Sequence, residues 1–189
     1  MRVLPLLRFP LARRCALGAL APLVVLTLAG CAGAPPAVRE ADGRLCHRGA
    51  KPTWQAPTCT RAPVPADASA LAALPADARA LTVYVLRGGW GDRRGRVDLR
   101  IHDQMVAETV PGGYLRLRLP PGRHLASSHW TGGRSETVWE GAAGEVLYVA
   151  LEPPMWSWER PFEWVRLSDA DALRRAAALQ LLADVDQRR

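Results

Sequence analysis

The chain has 189 residues and a formal net charge of +7, but four of its 25 basic residues lie within the first 14 positions. The part from residue 31 onward carries 21 basic against 18 acidic residues, a small excess. Its arginines are scattered, whereas a nucleic-acid-binding protein is expected to show a basic stripe, so that class is excluded.

The first thirty residues have the layout of a secretory signal. An apolar run extends from Cys15 to Ala29. Its core, residues 16–28, has the length of a signal-peptide core and is shorter than the roughly 20 apolar residues of a membrane-spanning helix. The run is preceded by the positive charges of Arg2, Arg8, Arg13 and Arg14. We therefore predict that residues 1–30 are a signal peptide.

The apolar run ends in Leu28-Ala29-Gly30-Cys31. This segment resembles the lipobox of bacterial lipoproteins, which implies cleavage before Cys31 and lipidation of its thiol. Lipid chains anchor a protein because each buried CH₂ contributes roughly 0.8 kcal/mol. Ala32 replaces the aspartate linked to inner-membrane retention, so the resemblance implies the outer membrane, facing the periplasm. The alternative is an ordinary signal peptide that happens to carry a cysteine.

Two further cysteines, Cys46 and Cys59, lie in the exported part of the chain. An oxidising compartment favours a disulfide between them, which would contribute roughly 3 kcal/mol. A metal site that uses the neighbouring His47 is the alternative, but two cysteines and one histidine are an incomplete ligand set. We predict a disulfide, no metal site and no cofactor.

Residues 31–79 are rich in Ala, Pro, Arg and Gly and contain few large apolar side chains. Such a segment buries too little apolar surface to offset the loss of chain entropy. We predict a flexible tether that contains the disulfide loop.

Residues 80–167 show short strands separated by Gly and Pro turns. Apolar and polar residues alternate, as in the segment from Val97 to Ile101, which indicates strands with one buried face. Strands are expected near residues 81–85, 97–101, 106, 115–119, 123–130, 134–140, 145–151 and 163–167. The pattern predicts a mainly β fold, an antiparallel β-sandwich of about seven to eight strands.

A C-terminal helix is expected over residues 168–189. Ser168 is a suitable N-cap, and acidic residues follow in the first turn, where the helix dipole favours them. Apolar residues then recur at helical spacing at Ala172, Ala176, Leu179 and Ala183.

The segments from Ile101 to Ala107, from Tyr114 to Leu117 and from Leu119 to His124 resemble an uncharacterised domain of bacterial lipoproteins. Its most specific part here is Leu119-Pro120-Pro121-Gly122-Arg123-His124. The resemblance covers residues 80–152 and implies a prealbumin-like or carboxypeptidase-regulatory-like β-sandwich. The usual Asp-Gly turn is Asp103-Gln104 here, so a turn of a different type is expected. The family has no assigned chemistry.

No catalytic constellation stands out, and we predict that the protein is not an enzyme. His124 and His129 are an odd number of residues apart, so they point to opposite faces of one strand. His124 is expected to bond across the Pro-Pro-Gly turn. A hydrolase is an alternative that would require a Ser–His pair within about 3.2 Å.

Tryptophans are the remaining candidates for a functional site. Trp156, Trp158 and Trp164 lie in or beside a Pro-flanked segment. They either plug the end of the sandwich, since each buries about 150–250 Å², or form an exposed platform for a partner. The sequence thus predicts a lipid-anchored envelope lipoprotein with a non-enzymatic binding or accessory module. Its partner would be an envelope protein or, in the alternative, a glycan such as peptidoglycan bound by the tryptophans.

Overall fold

The computed structural model describes residues 37–47, 56–65, 73–89, 95–153 and 161–188. Within these ranges the fold is mainly β, as predicted, with twelve strands and one helix. The strands in chain order are β1 (Val38–Arg39), β2 (Leu45–His47), β3 (Thr58–Cys59), β4 (Leu81–Arg87), β5 (Val97–Ile101), β6 (Gln104–Thr109), β7 (Gly113–Leu119), β8 (Gly122–Trp130), β9 (Gly133–Gly141), β10 (Val146–Glu152), β11 (Glu163–Arg166) and β12 (Gln180–Asp186). The helix α1 spans Asp169–Ala176. No helix among the described residues is long and apolar enough to cross a membrane.

Two sheets share one core in a sandwich-like arrangement. One sheet has the strand order β11-β10-β4-β7-β12, and the other has the order β6-β5-β8-β9. Because side chains alternate between the two faces of a strand, Val83 and Val85 of the first sheet and Leu99 of the second point into the same cluster. Each of them is at most 1 % exposed. The core thus forms where the apolar faces of the two sheets meet.

The prediction of a purely antiparallel sandwich is wrong for the five-stranded sheet. Its pairs β10–β4 and β12–β7 are parallel, whereas every pair of the four-stranded sheet is antiparallel. Alternation reports which face of a strand is buried and carries no information on the direction of its neighbour. Parallel neighbours need a long crossover connection, which the intervening strands supply.

The outer face of the five-stranded sheet carries all three tyrosines of the chain. Tyr84 lies between Tyr114 and Tyr148, with ring centroids 6.5 Å and 5.7 Å away. Ala172 and Ala176 of α1 pack on this cluster. The predicted N-cap forms: the Ser168 hydroxyl accepts a hydrogen bond from the backbone N–H of Asp171. The helix therefore covers an apolar face that would otherwise lie in water.

The expected helix over residues 168–189 ends at Ala176, and residues 180–186 form β12 instead. Pairing with β7 decides this outcome: Leu182 enters the core, and Asp184 contacts the guanidinium of Arg118 at 3.2 Å. The helical spacing of Leu179 and Ala183 is local, and the contacts made by the strand outweigh it.

The predicted tether is folded where the structure describes it. Strands β1, β2 and β3 form a third sheet, and Leu45 and Val64 are 0 % and 6 % exposed in the shared core. Leu74 is buried beneath the tyrosine cluster. The segment has few apolar side chains, but the neighbouring sandwich buries them, which composition alone does not reveal.

Tyr84→Phe is expected to lower the free energy of unfolding at pH 7 by about 1 kcal/mol, because the Pro75 carbonyl loses the hydroxyl that donates to it at 2.8 Å. Burial raises the pKa of the Tyr84 hydroxyl well above its ordinary value of 10.0. In the unfolded chain the hydroxyl ionises at its ordinary pKa, so its contribution to stability is complete below about pH 10 and is lost as the pH rises further.

Urea unfolding followed by circular dichroism between pH 7 and pH 11 checks this prediction. Wild-type stability should fall more steeply above pH 10 than that of the variant. Tyr148→Phe is the matched control for the loss at pH 7, since it keeps the bond to Pro75. Burial also raises the pKa of Tyr148, so this control does not apply to the slope above pH 10. Parallel curves for wild type and Tyr84→Phe would contradict the assignment.

Candidate functional site

The two longer connections both start from strand ends at one end of the sandwich, here called the cap end. Strands β4, β6, β8 and β10 end there, and the strands that follow them begin there. The connections from Arg87 to Val97 and from Glu152 to Glu163 are much longer than the turns at the opposite end, such as His102–Asp103. Binding residues are often carried by the loops at one end of a rigid scaffold.

A disulfide module, defined as residues 37–47 and 56–65, packs at the cap end. Cys46 and Cys59 lie directly opposite each other on β2 and β3 and are joined by a bond of 2.02 Å. The Thr60 hydroxyl accepts from the backbone N–H of Leu45 at 3.2 Å. Covalent and hydrogen bonds thus hold a small sheet that has little core of its own.

Arg61 attaches this module to the four-stranded sheet. Asp98 and Glu108 are cross-strand neighbours on β5 and β6, a placement that would repel without a cation between them. The Arg61 Nη1 atom lies 2.9 Å from Asp98 Oδ1 and 3.2 Å from Glu108 Oε2. The hydrogen bond to Asp98, with the charges of both carboxylates, raises the pKa of the guanidinium. The two carboxylates therefore form a docking point for the module.

A cleft of about 620 Å³ lies between the disulfide module and the ends of β5 and β8. Its volume is within the range of small-ligand sites, which are usually more apolar. Its lining is mainly polar and includes Thr58, Arg61, Arg96, Asp98, His129 and Trp130. This lining suits a polar ligand that both donates and accepts hydrogen bonds, because guanidinium, imidazole, hydroxyl and carboxylate groups surround an indole ring.

Ser127 and His129 satisfy the distance required of a hydrolase, since Ser127 Oγ lies 3.0 Å from His129 Nε2. However, Ser127 is only 3 % exposed and does not line the cleft. The Asp98 carboxylate, which could orient His129 from the neighbouring strand, instead accepts a hydrogen bond from Arg61. The pair lacks an accessible nucleophile.

The described tryptophans join the two sheets. Trp164 of β11 is half-buried and meets Trp139 of β9 edge to face, with ring centroids 5.6 Å apart. Trp130 meets Phe162 in the same way at 5.1 Å. Trp164 therefore packs between the two sheets, which is the first of the two alternatives that the sequence leaves open for it.

Several predicted site residues lie outside the described ranges, namely Cys31, Trp156 and Trp158. Among the residues that the structure does describe, no group of three or more His, Cys, Asp or Glu side chains could hold a metal ion.

The expected bond of His124 is present, since its Nε2 lies 2.8 Å from the Pro120 carbonyl oxygen. Sequence reasoning missed Arg61 and its two carboxylates, because Asp98 lies 37 and Glu108 lies 47 positions from Arg61 and no local motif joins them.

The described residues thus define a mainly β domain with a polar cleft at its cap end. A comparison of the chain with protein-family models gives no match, and a comparison with curated proteins gives no significant match. The resemblance to the lipoprotein domain remains a prediction from the sequence.

Replacing both cysteines, as Cys46→Ser with Cys59→Ser, is expected to lower the free energy of unfolding by about 3 kcal/mol, because the unfolded chain regains the entropy that a cross-linked loop of this size lacks. Loss of amide hydrogen-exchange protection should be greatest in the disulfide module and small in β8 and β9. Ser135→Ala on β9 is a control for an unrelated loss of a polar atom. Unchanged protection in residues 37–65 would show that the disulfide does not hold the module.

Proposed function

We propose that this chain is a lipid-anchored lipoprotein of the outer membrane, facing the periplasm, whose β-sandwich is a non-enzymatic binding or accessory module. The observation that carries the proposal is the polar cleft at the cap end, where a disulfide-clamped segment closes over the strand ends. Its partner would be a polar envelope molecule, either a protein or a glycan. Nucleic acid is not expected as a partner.

Binding without catalysis fits the chemistry of the cleft. Arg61 forms ion pairs with two carboxylates. His129 forms a hydrogen bond with Ser127, whose side chain is almost completely buried. Within the part of the chain that the structure describes, Arg96 makes a long contact, at 3.5 Å, with the Cys59 carbonyl oxygen, and it is exposed at the cleft. These groups can recognise a ligand through hydrogen bonds and charge, whereas a hydrolase would need an accessible nucleophile.

The proposed anchor is close in sequence to the folded domain. Five residues separate Cys31 from Ala37, the first described residue, which is already part of the core. The proposed lipoprotein would therefore have a short segment after its lipid in place of the long tether expected from composition.

The finer fold assignment, a prealbumin-like sandwich, is also part of this proposal. Without β12, the sheets have the orders β7-β4-β10-β11 and β6-β5-β8-β9. The assignment is supported by the presence of two four-stranded sheets. It is also supported by the parallel pair β4–β10, which joins the first and the seventh of these eight strands. In this view β12 is an addition at the β7 edge.

A glycan is the second candidate ligand, and Trp130 is the observation that favours it. Its indole lines the cleft beside Thr58, Asp98 and Arg96. A flat apolar ring among hydroxyl, carboxylate and guanidinium groups matches a sugar, which has apolar faces and a rim of hydroxyls. The proposed site differs from the tryptophan platform of Trp156, Trp158 and Trp164, which the sequence offered as an alternative.

Cys31→Ser is expected to abolish lipid attachment, because the acyl chains are proposed to be linked through this thiol. Metabolic labelling of the full chain with an alkyne fatty acid in a Gram-negative host measures the incorporation. The variant with both Cys46 and Cys59 replaced by serine is the control and should carry as much label per molecule of recovered protein as wild type. Equal labelling of Cys31→Ser, or an unlabelled wild type, would refute the anchor.

A photo-crosslinking amino acid at Thr131, in the cleft, is expected to capture the partner in intact envelopes. The same probe at Gln104, exposed at the opposite end, should capture far less. Arg96→Ala should weaken capture at position 131, and Arg166→Ala, a change of an exposed arginine outside the cleft, should not. Loss of the adduct after muramidase treatment identifies a glycan, and loss after protease treatment of the partner identifies a protein.

Equal capture at both positions, or no adduct at position 131, would contradict the assignment of the cleft.

A further inference from the structure

Two histidines meet at the end of the sandwich opposite the cleft. His102 lies in the turn between β5 and β6, and His124 lies near the start of β8. The His102 Nε2 atom is 3.3 Å from His124 Nδ1. His102 is exposed and His124 is 8 % exposed, so the pair is reachable from solvent at one edge.

The backbone fixes the tautomer of the neutral His124 ring, that is, which of its two nitrogens carries the proton. Its Nε2 lies 2.8 Å from the Pro120 carbonyl oxygen, which can only accept, so Nε2 carries the proton. In the neutral ring the Nδ1 lone pair is therefore the acceptor that faces His102. Metal-binding histidines usually show this arrangement, with the second ring N–H donated to a carbonyl or carboxylate.

His102 is presented to His124 by a strained turn. His102 and Asp103 have φ values of 48° and 64°, a left-handed conformation that two-residue hairpin turns normally assign to Asn-Gly. The turn is held by the backbone bond from His102 N–H to the Leu125 carbonyl at 2.9 Å. A guanidinium N–H of Arg100 also donates to the Asp103 carbonyl, at 3.1 Å. Strain of this kind often accompanies a functional site.

From this geometry we propose that His102 and His124 form a two-histidine site for a divalent late transition metal, with Cu²⁺ as the best-suited ion. A metal about 2.0–2.1 Å from two nitrogens that are 3.3 Å apart subtends an angle of about 105–110°, so the two nitrogens must approach each other to about 2.9 Å for the 90° angle of a tetragonal Cu²⁺ site. The order of affinities along the first row favours Cu²⁺ over its neighbours for imidazole ligands.

Binding requires one proton to move within His102. In the metal-free pair, His102 Nε2–H donates to His124 Nδ1; in the complex His102 carries its proton on Nδ1 and both lone pairs face the metal. No net proton is released. Since the described residues provide no third His, Cys, Asp or Glu at this point, water completes the coordination and the ion is exchangeable.

The competing interpretation is a plain hydrogen bond that fastens the turn to β8, and Cu²⁺ titration of the full metal-free chain separates the two. His102→Asn is the variant of choice, because asparagine tolerates positive φ and preserves the turn. His129→Asn is the matched control, because it removes a histidine from the same strand, β8, at the end that lies beside the cleft.

Wild type and His129→Asn are expected to bind Cu²⁺ and to show nitrogen coordination in electron paramagnetic resonance. In both, Cu²⁺ at a hundredfold excess over Kd should raise Tm by about 5–10 °C. His102→Asn and His124→Asn should bind at least about tenfold more weakly and lose the shift in Tm.

The proposal is overturned if His102→Asn binds Cu²⁺ as tightly as wild type, or if wild type shows neither nitrogen coordination nor a metal-dependent Tm. A lower Tm of His102→Asn without metal, together with no effect of Cu²⁺ on wild type, would establish the hydrogen bond alone. These outcomes are independent of the cleft and of the lipid anchor.

Discussion

Burial of strand β4 on both faces is the constraint on which the rest of the structure depends. All seven of its residues, Leu81–Arg87, are buried. Val83 and Val85 face the four-stranded sheet, whereas Tyr84 and Leu86 face away from it. A strand with two buried faces needs a cover on each side, so the fold requires both the second sheet and the layer formed by α1 and Leu74. The tyrosine cluster is the contact that attaches this outer layer.

The last residue of β4 extends the same constraint to the cap end. Arg87 is 0 % exposed, donates to the Thr109 carbonyl at 2.9 Å and lies over the Phe162 ring, with its guanidinium carbon 5.0 Å from the centroid. A buried guanidinium must keep its hydrogen bonds, because an uncompensated buried charge costs several kcal/mol. The ends of β4, β6 and the segment before β11 are thereby held in one arrangement, which gives the disulfide module a rigid surface to dock on.

The sequence predicted those features that depend on neighbouring residues. The alternation in β5 and the turn signals around Pro120 located strands correctly, and Ser168 marked the true start of α1. Features set by distant contacts were missed. The spacing of apolar residues in 180–186 fits a helix, but pairing with the edge of β7 makes this segment a strand. Leu45 lies in a segment whose composition is that of a linker, but the sandwich buries its side chain.

The cleft and the histidine pair were unpredictable for the same reason. Arg61 meets Asp98 across 37 residues, and His102 meets His124 across 22, and neither spacing is a motif. The cysteines were the one local signal near the cleft, since an oxidising compartment, as the predicted signal peptide would imply, favours their bond. The bond indicated a closed loop but not which surface the loop would cover.

The two candidate sites are joined by a single strand yet are energetically separable. His124 and His129 are five residues apart on β8, about 17 Å along the strand. The odd spacing turns them to opposite faces, so His124 reaches the edge of the core at one end and His129 reaches the outer face beside the cleft at the other. Sites this far apart without a shared partner normally contribute independently to stability. A coupling between metal binding at His102–His124 and ligand binding in the cleft would therefore require β8 itself to shift, and its nine-residue ladder with β9 opposes such a shift.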